Sequence, residues 1–143
     1  MRRKRLNAKG VFMQFAGYVV LTVLTLFLLK AQLGSVNQEF RVRATMQVLY
    51  EGMQAYYHDK ESYVEMSTAP AAALVQILMV SGHLEQAPLN PYTSMAYAAS
   101  DAEHDKIRYE AAPDFKSFTL KAERPDSSEI WVEMESPSLS PHE

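Results

Sequence analysis

Residues 11–29 read VFMQFAGYVVLTVLTLFLL, a run of 19 residues without a charged side chain. At about 1.5 Å per residue, a helix of this length covers roughly 28 Å, which is close to the hydrocarbon thickness of a bilayer. Five of the 14 Lys and Arg residues precede the run, and only Lys30 follows it directly. Because basic flanks stay in the cytoplasm, we expect residues 1–10 to form a cytoplasmic leader, residues 11–29 to span the membrane and the remainder to be exported.

A cleaved secretory signal is the alternative interpretation of this N-terminal run. Such signals have an apolar stretch of only about 7–15 residues, followed by a cleavage site of small residues. Here the run is longer, and the KAQLG sequence at 30–34 is a poor cleavage site. The sequence therefore favours a retained anchor.

The composition limits the size of the exported part and its partners. The chain has 143 residues, enough for one membrane segment and one small domain. Its net charge is -3, although the first ten positions hold five basic residues and no acidic ones, so the remainder is distinctly acidic. An acidic domain argues against nucleic acid as a partner. There is no cysteine, so stability has to come from packing alone.

Apolar residues continue at steps of three and four beyond the uncharged run, in two stripes that shift register near Arg41. No proline occurs before Pro70, and Gly34 and Gly52 each weaken a helix by only about 1 kcal/mol. The pattern predicts one continuous helix over about 11–58, with an amphipathic outer half at 30–60. The two stripes are Leu29, Leu33, Val36 and Phe40, then Val42, Met46, Leu49, Met53 and Tyr56.

The remaining residues, 61–135, predict a small globular head. Ser67 or Thr68 can cap a short helix over about 70–81, which Gly82 would close. Alternating apolar and polar residues then predict strands at about 95–99, 107–112, 117–123 and 129–135. Residues 136–143 are expected to be a flexible tail.

One face of such a sheet is apolar, as is one stripe of the long helix, and packing them together buries both. The predicted fold class is therefore α+β. A long N-terminal helix packs on a small C-terminal antiparallel sheet, with one short extra helix.

The order of several short motifs resembles the type IV pilins and the pseudopilins of type II secretion, most closely the major pseudopilin branch. The resemblance covers nearly the whole chain. It rests on a basic leader ending in Lys9-Gly10, an apolar helix directly after it, the helix end Tyr56-Tyr57-His58-Asp59, the turn Gly82-His83-Leu84, and the loop Pro88-Leu89-Asn90-Pro91-Tyr92 before a C-terminal sheet.

The resemblance implies that a prepilin peptidase cuts between Gly10 and Val11, and that the new N-terminus is methylated. Freed subunits would then stack their apolar helices with their own kind or with related subunits, on an assembly platform in the inner membrane. The family usually has a glutamate five residues into the mature chain, where this chain has Phe15. Gln14, Phe15 and Gly17 are the expected helix-bundle contacts, since Gln can hydrogen-bond a neighbouring helix and Gly allows close approach.

These features predict a structural subunit rather than an enzyme. The chain lacks cysteine, the Gly-x-Ser-x-Gly motif and the His-Glu-x-x-His motif. The expected location is the bacterial inner membrane, with a single pass, a cytoplasmic N-terminus and a periplasmic or extracellular head. The alternative is a permanently anchored bitopic protein whose acidic head binds a partner. Secretion, adhesion, motility and DNA uptake all remain open.

Three acidic residues, Asp101, Glu103 and Asp105, have the i, i+2, i+4 spacing found in the first half of a calcium-binding loop. Major pseudopilins are known for a calcium site in their sheet loops, so the resemblance also points to calcium here. The loop lacks the usual glycine and the bidentate glutamate. A solvated hairpin tip without metal is the alternative, and no other cofactor is expected.

Two aromatic features also lead to expectations. Adjacent helix positions point about 100° apart, so one of Tyr56 and Tyr57 should be more exposed than the other. Trp131 should lie on the face of its strand opposite Ile130, Val132 and Met134. There it would be either a subunit contact or a residue covered by the tail.

Overall fold

The computed structural model describes residues 8–136, and within its first helix it describes the side chains of 20–28, 30, 34 and 36 onward. The predicted leader up to residue 7 and the tail from residue 137 lie outside these residues. The chain forms two compact units, one that ends at Asn37 and one that begins at Gln38. The helices are α1 (Ala8–Lys60) and α2 (Ala71–Val80), the strands are β1 (Thr68–Pro70), β2 (Ile107–Ala111), β3 (Phe118–Glu123) and β4 (Ile130–Glu135), and a 3₁₀ turn covers Ala99–Glu103.

Helix α1 is one continuous element of 53 residues, so the predicted helix through Gly34 and Gly52 is confirmed. Nothing in its sequence removes a backbone donor, because proline is absent before Pro70. The helix ends where Glu61 takes a left-handed backbone conformation, with φ at 59°. The Glu61 amide still donates to the Tyr57 carbonyl oxygen at 2.7 Å, which closes the last turn.

The four strands form one antiparallel sheet in the order β1-β2-β3-β4, which confirms an α+β fold with an antiparallel sheet. Strands β2, β3 and β4 lie where the alternating pattern predicts them. Side chains of one face point into the core, in cross-strand rows such as Tyr109, Leu120 and Met134. The opposite face carries Arg108, Lys121 and Glu133 in the neighbouring row.

The second apolar stripe of α1 forms one side of the core. Val42, Met46, Leu49 and Met53 are fully buried and belong to one cluster with the inner face of the sheet and with α2. Phe40, from the earlier stripe, is instead 71% exposed. The register shift in the sequence therefore marks the point at which α1 begins to contribute to the core.

The short helix α2 lies where predicted, but its predicted cap is wrong. Pro70 is the N-cap residue, and no side chain of the preceding segment caps the helix. Thr68 cannot do so because it belongs to β1 and pairs with Glu110 of β2. At the other end, Gly82 has φ at 77° and closes the helix as expected.

The strand predicted over 95–99 is wrong. Only a single bridge forms there, between Leu89 and Ala96, and Ala99 already starts the 3₁₀ turn. The loop is attached both to α1 and to the end of β3, where the Tyr92 hydroxyl donates to the Glu123 carbonyl at 2.7 Å. The side-chain amide of Gln38 donates to the Pro91 carbonyl at 2.8 Å, and the Thr45 hydroxyl donates to the Leu89 carbonyl at 2.9 Å. The fourth strand of the sheet is β1, which the sequence interpretation assigned to a helix cap.

Strand β4 contains a bulge at Trp131. Val132 pairs with Ala122, and Ile130 pairs with Glu123, so Trp131 has no residue directly opposite. The extra residue shifts the alternation, and Ile130 is 48% exposed instead of lying in the core.

Candidate assembly surface

The most distinctive surface of the described chain is the segment of α1 from Val20 to Leu28. Its seven large apolar side chains are each 54–71% exposed, although they lie on every side of the helix. The hydroxyl of Thr25 donates to the Leu21 carbonyl at 2.8 Å, so its polarity is satisfied within the helix. A helix on the surface of a water-soluble protein normally has one apolar face and one polar face, whereas this segment is apolar on all sides.

One side of this segment carries a shallow apolar groove of about 350 Å³. Its lining residues, Val20, Val23, Leu24 and Phe27, recur at steps of three and four, so they form one stripe along the helix. Ridges from another helix fit grooves of this kind, because i, i+3 and i+4 side chains line the same strip of helix surface. The segment therefore has the surface chemistry of a helix that packs against lipid tails or against other apolar helices.

The residues predicted for processing and for helix bundling lie just before this segment. Gly10, Val11, Gln14, Phe15 and Gly17 fall within the bounds of α1, but their side chains are not among those described. Their predicted roles stay predictions. Within the described part of the chain, no helix combines the length and the apolarity needed to cross a membrane.

The three candidate calcium ligands are not brought together. Asp101 accepts a hydrogen bond from the Ala98 amide at 2.9 Å and caps the 3₁₀ turn, whereas Glu103 is exposed. Asp105 is buried and points into the head. Among residues 8–136 no group of three His, Cys, Asp or Glu side chains is arranged to hold a metal ion. Calcium binding stays a prediction without a convergent ligand set.

Asp105 instead links three parts of the head. Its Oδ2 accepts from the Ala72 amide at 2.7 Å, and its Oδ1 accepts from the Ile107 amide at 3.0 Å and from the Tyr97 hydroxyl at 3.1 Å. It therefore supplies the N-terminal cap that α2 lacks locally. Burial raises the pKa of Asp105, while the three donated hydrogen bonds act in the opposite direction. Burial and the nearby Asp105 charge also raise the pKa of Tyr97.

A second polar group lies where the end of α1 meets the end of α2. Nδ1 of His83 lies 2.8 Å from the Ser81 hydroxyl, and Nε2 of His83 lies 3.6 Å from a carboxylate oxygen of Asp59. The imidazole also contacts the ring of Tyr56 edge-on, with 5.1 Å between centroids. In the sequence, Asp59 and His83 belong to two separate motifs, and no local pattern indicates that they meet.

This Ser81, His83 and Asp59 group closes the helix ends. The amides of residues 81–84 all donate to carbonyls of the last turn of α2, so they are already occupied. The Ser81 hydroxyl itself donates to the Leu78 carbonyl at 3.2 Å. The arrangement is thus that of a helix C-terminus tied to a neighbouring helix.

Tyr56 and Tyr57 are both half-buried, so neither is freely exposed, and the expectation that one is more exposed than the other stays a prediction. Each has its own cover on a different side of α1. Tyr56 packs on His83, whereas the Tyr57 ring lies 4.6 Å from that of Tyr63. Segments after both α1 and α2 fold back onto the helix end, which local sequence does not reveal.

Trp131 is half-buried rather than fully outward, and the tail from residue 137 that was expected to cover it lies outside the described residues. Trp131 packs against the edge of the core, and the Arg124 guanidinium carbon lies 5.3 Å from its ring centroid. Its indole nitrogen is buried and has no hydrogen-bond partner among the described residues. The cation–π contact accounts for its position beside the β3–β4 turn.

Comparison of the whole chain with known protein families, with curated proteins and with solved structures finds no match.

Proposed function

We propose that this chain is a structural subunit of the pilin type. It would be anchored in the bacterial inner membrane and assemble through its apolar helix into a filament, either a type IV pilus or a type II secretion pseudopilus. The observation that carries the proposal is the exposed apolar surface of residues 20–28, within a sequence run that has no charge from Val11 to Leu29.

The energetics of this surface support a role in association. Seven large apolar side chains left in water would each cost about 1 kcal/mol or more, on the order of 10 kcal/mol together. Lipid or a bundle of similar helices removes that cost. Since lipid tails are as apolar as the side chains, transfer from membrane to filament needs replacement contacts of equal quality. Transfer therefore needs an assembly platform that acts on a membrane pool of subunits.

The head supports the same proposal. Its core joins the outer half of α1 to a four-stranded antiparallel sheet, which is the arrangement implied by the resemblance to pilins. The acidic composition of this part suits an exported domain that stays soluble. Self-association or association with related subunits, together with contacts to prepilin peptidase and the platform, completes the proposed set of partners.

A permanently anchored bitopic protein with a partner-binding head is the second candidate. Phe15 favours it, because the usual glutamate would pair with the N-terminal amine of a neighbouring subunit. Phe15→Glu separates the two. In a bundle with nearby N-termini the carboxylate is tolerated, whereas facing lipid alone it costs several kcal/mol and lowers membrane insertion. The amount of protein recovered in washed membranes measures this.

The intact mass of the membrane-extracted protein tests the processing step. The chain is expressed with and without a prepilin peptidase, and Gly10→Leu serves as the control because a bulky side chain then precedes the bond that is cut. The pilin proposal predicts loss of residues 1–10 only when the peptidase and Gly10 are both present. A full-length species under all conditions supports the permanent anchor instead.

A further inference from the structure

We propose that the free edge of β4 is a docking edge for an extended basic segment of a partner protein. That segment would add to the sheet as a fifth, antiparallel strand, with Lys or Arg at two alternating positions. This inference concerns the head alone and does not depend on the proposed filament.

The backbone of β4 presents unused hydrogen-bonding groups. The Ser136 amide donates to the Phe118 carbonyl at 2.8 Å, which fixes the phase of the β3–β4 ladder. Hydrogen-bonded pairs alternate with non-hydrogen-bonded pairs along an antiparallel ladder, so Met134 and Val132, like Ser136, exchange main-chain hydrogen bonds with β3. Glu133 and Glu135 lie between them and form the non-hydrogen-bonded pairs. The amide and carbonyl groups of both glutamates therefore point away from β3. Nothing in the described part of the chain bonds to them.

The other edge of the sheet is much less suitable. Strand β1 has only three residues, and Pro70 has no amide hydrogen to donate. Strand β4 has six residues and offers two complete donor and acceptor pairs. Strand addition needs such a continuous row of main-chain groups, so it is favoured at β4.

Charge selects the kind of partner. On the outer face, Lys121 pairs with Glu110, and Arg108 pairs with Glu123. The exposed carboxylates of Glu133 and Glu135 form no ion pair with any residue of 8–136. Lys121, whose ion pair is with Glu110, attracts both carboxylates only at longer range, so their negative charge is not neutralised by a direct contact. A second copy of β4, paired antiparallel about Met134, would place glutamate opposite glutamate, which is unfavourable. A strand with basic residues at those two positions would be attracted instead.

Met134, between the two glutamates, specifies the residue that lies between the two basic residues of the partner segment. Met134 lies on the core side of the sheet and is half-buried, so the row that ends with it has an open apolar end. A partner residue opposite Met134 would extend this apolar row. The edge therefore fits a basic–apolar–basic sequence in extended conformation.

Fluorescence anisotropy with labelled pentapeptides tests the proposal on the full chain in detergent micelles. The probe is Thr-Lys-Val-Lys-Thr. It is compared with the same peptide methylated at the backbone amide nitrogens of both lysines, which removes their main-chain donors, and with Thr-Glu-Val-Glu-Thr. We expect the lysine peptide to bind about tenfold or more tightly than either comparison peptide, because only it supplies both the main-chain donors and the charge. Binding should weaken with salt.

A charge exchange provides the specificity control. The double variant Glu133→Lys with Glu135→Lys should prefer the glutamate peptide, whereas Glu85→Lys with Glu103→Lys changes the net charge equally and should keep the original preference. Equal binding of the methylated and unmethylated lysine peptides would overturn the proposal, since charge alone would then explain binding. Absence of binding, or an unchanged preference after the exchange at 133 and 135, would overturn it as well.

Discussion

Asp105 shows how one side chain organises the loop side of the head. Its two carboxylate oxygens receive hydrogen bonds from the start of α2, from the Tyr97 hydroxyl and from the first amide of β2. In the sequence this residue looks like the last member of an acidic loop. Its partner Ala72 is 33 positions away, so no local pattern reveals the contact.

Replacement of this carboxylate should destabilise the head. Asp105→Ala leaves two buried amides and one hydroxyl without an acceptor and removes the cap of α2. We expect a loss of about 2–4 kcal/mol in the free energy of unfolding. Glu103→Gln, at an exposed position nearby, is the matched control and should change stability by less than about 0.5 kcal/mol. Equal effects of the two substitutions in urea unfolding would show that Asp105 has no such role.

The same residue should make stability depend on pH. Because burial raises the pKa of Asp105 above the unfolded value of 3.8, the folded head binds this proton more tightly than the unfolded chain. Its contribution is full below the unfolded pKa and is lost as pH rises through the folded pKa. We therefore expect the stability of the wild type relative to Asp105→Asn to fall as pH rises above the unfolded pKa of 3.8. Thermal unfolding of both proteins at a series of pH values measures this difference in stability, and a difference that rises with pH would contradict the assignment.

Among the helices and strands, the apolar periodicity of the sequence predicted the elements that have a long local pattern. It did not predict the elements that depend on contacts between residues distant in sequence. Strands β2, β3 and β4 and both α-helices have apolar patterns long enough to specify their type, and the structure places them accordingly. Strand β1 has three residues and includes Pro70, so it gave no strand pattern. Segment 95–99 was predicted as a strand on weak alternation, but it forms only one bridge, between Ala96 and Leu89 of its own loop.

The contact between α1 and α2 gives an element-scale prediction at Gly52. A Cβ at this position would lie 3.2 Å from Leu78 Cδ1 and 3.3 Å from Leu84 Cδ2, closer than side chains normally pack. We expect Gly52→Val to force these leucines apart and to cost about 1–3 kcal/mol of stability.

Gly34 provides the matched control for that substitution. It also lies inside α1, but a Cβ there would meet nothing within 4 Å. Gly34→Val should therefore be neutral or slightly stabilising, by up to a few tenths of a kcal/mol from helix propensity. Helicity and the melting temperature of both variants, followed by circular dichroism, check the pair. A similar loss of stability in both variants would show that valine destabilises helix α1 itself, and not its contact with α2.

At the scale of the whole molecule, the chain combines a core-forming head with a helix segment whose apolar side chains have no cover in the described structure. The candidate assembly surface was predictable from sequence because it depends only on the local absence of charge from Val11 to Leu29. The predicted processing site and bundle contacts depend on partners. The residue pattern of one chain does not specify which residues of another protein it contacts.

Cysteine cross-linking in membranes tests whether residues 20–28 pack against the same helix of other subunits, as proposed. The chain has no native cysteine, so a single Leu24→Cys substitution gives one reactive site, and Asp126→Cys in the exposed β3–β4 turn is the control. When the assembly machinery is co-expressed and the membranes are oxidised, we expect covalent dimers from Leu24→Cys and monomers from Asp126→Cys. Monomers alone from Leu24→Cys would contradict it.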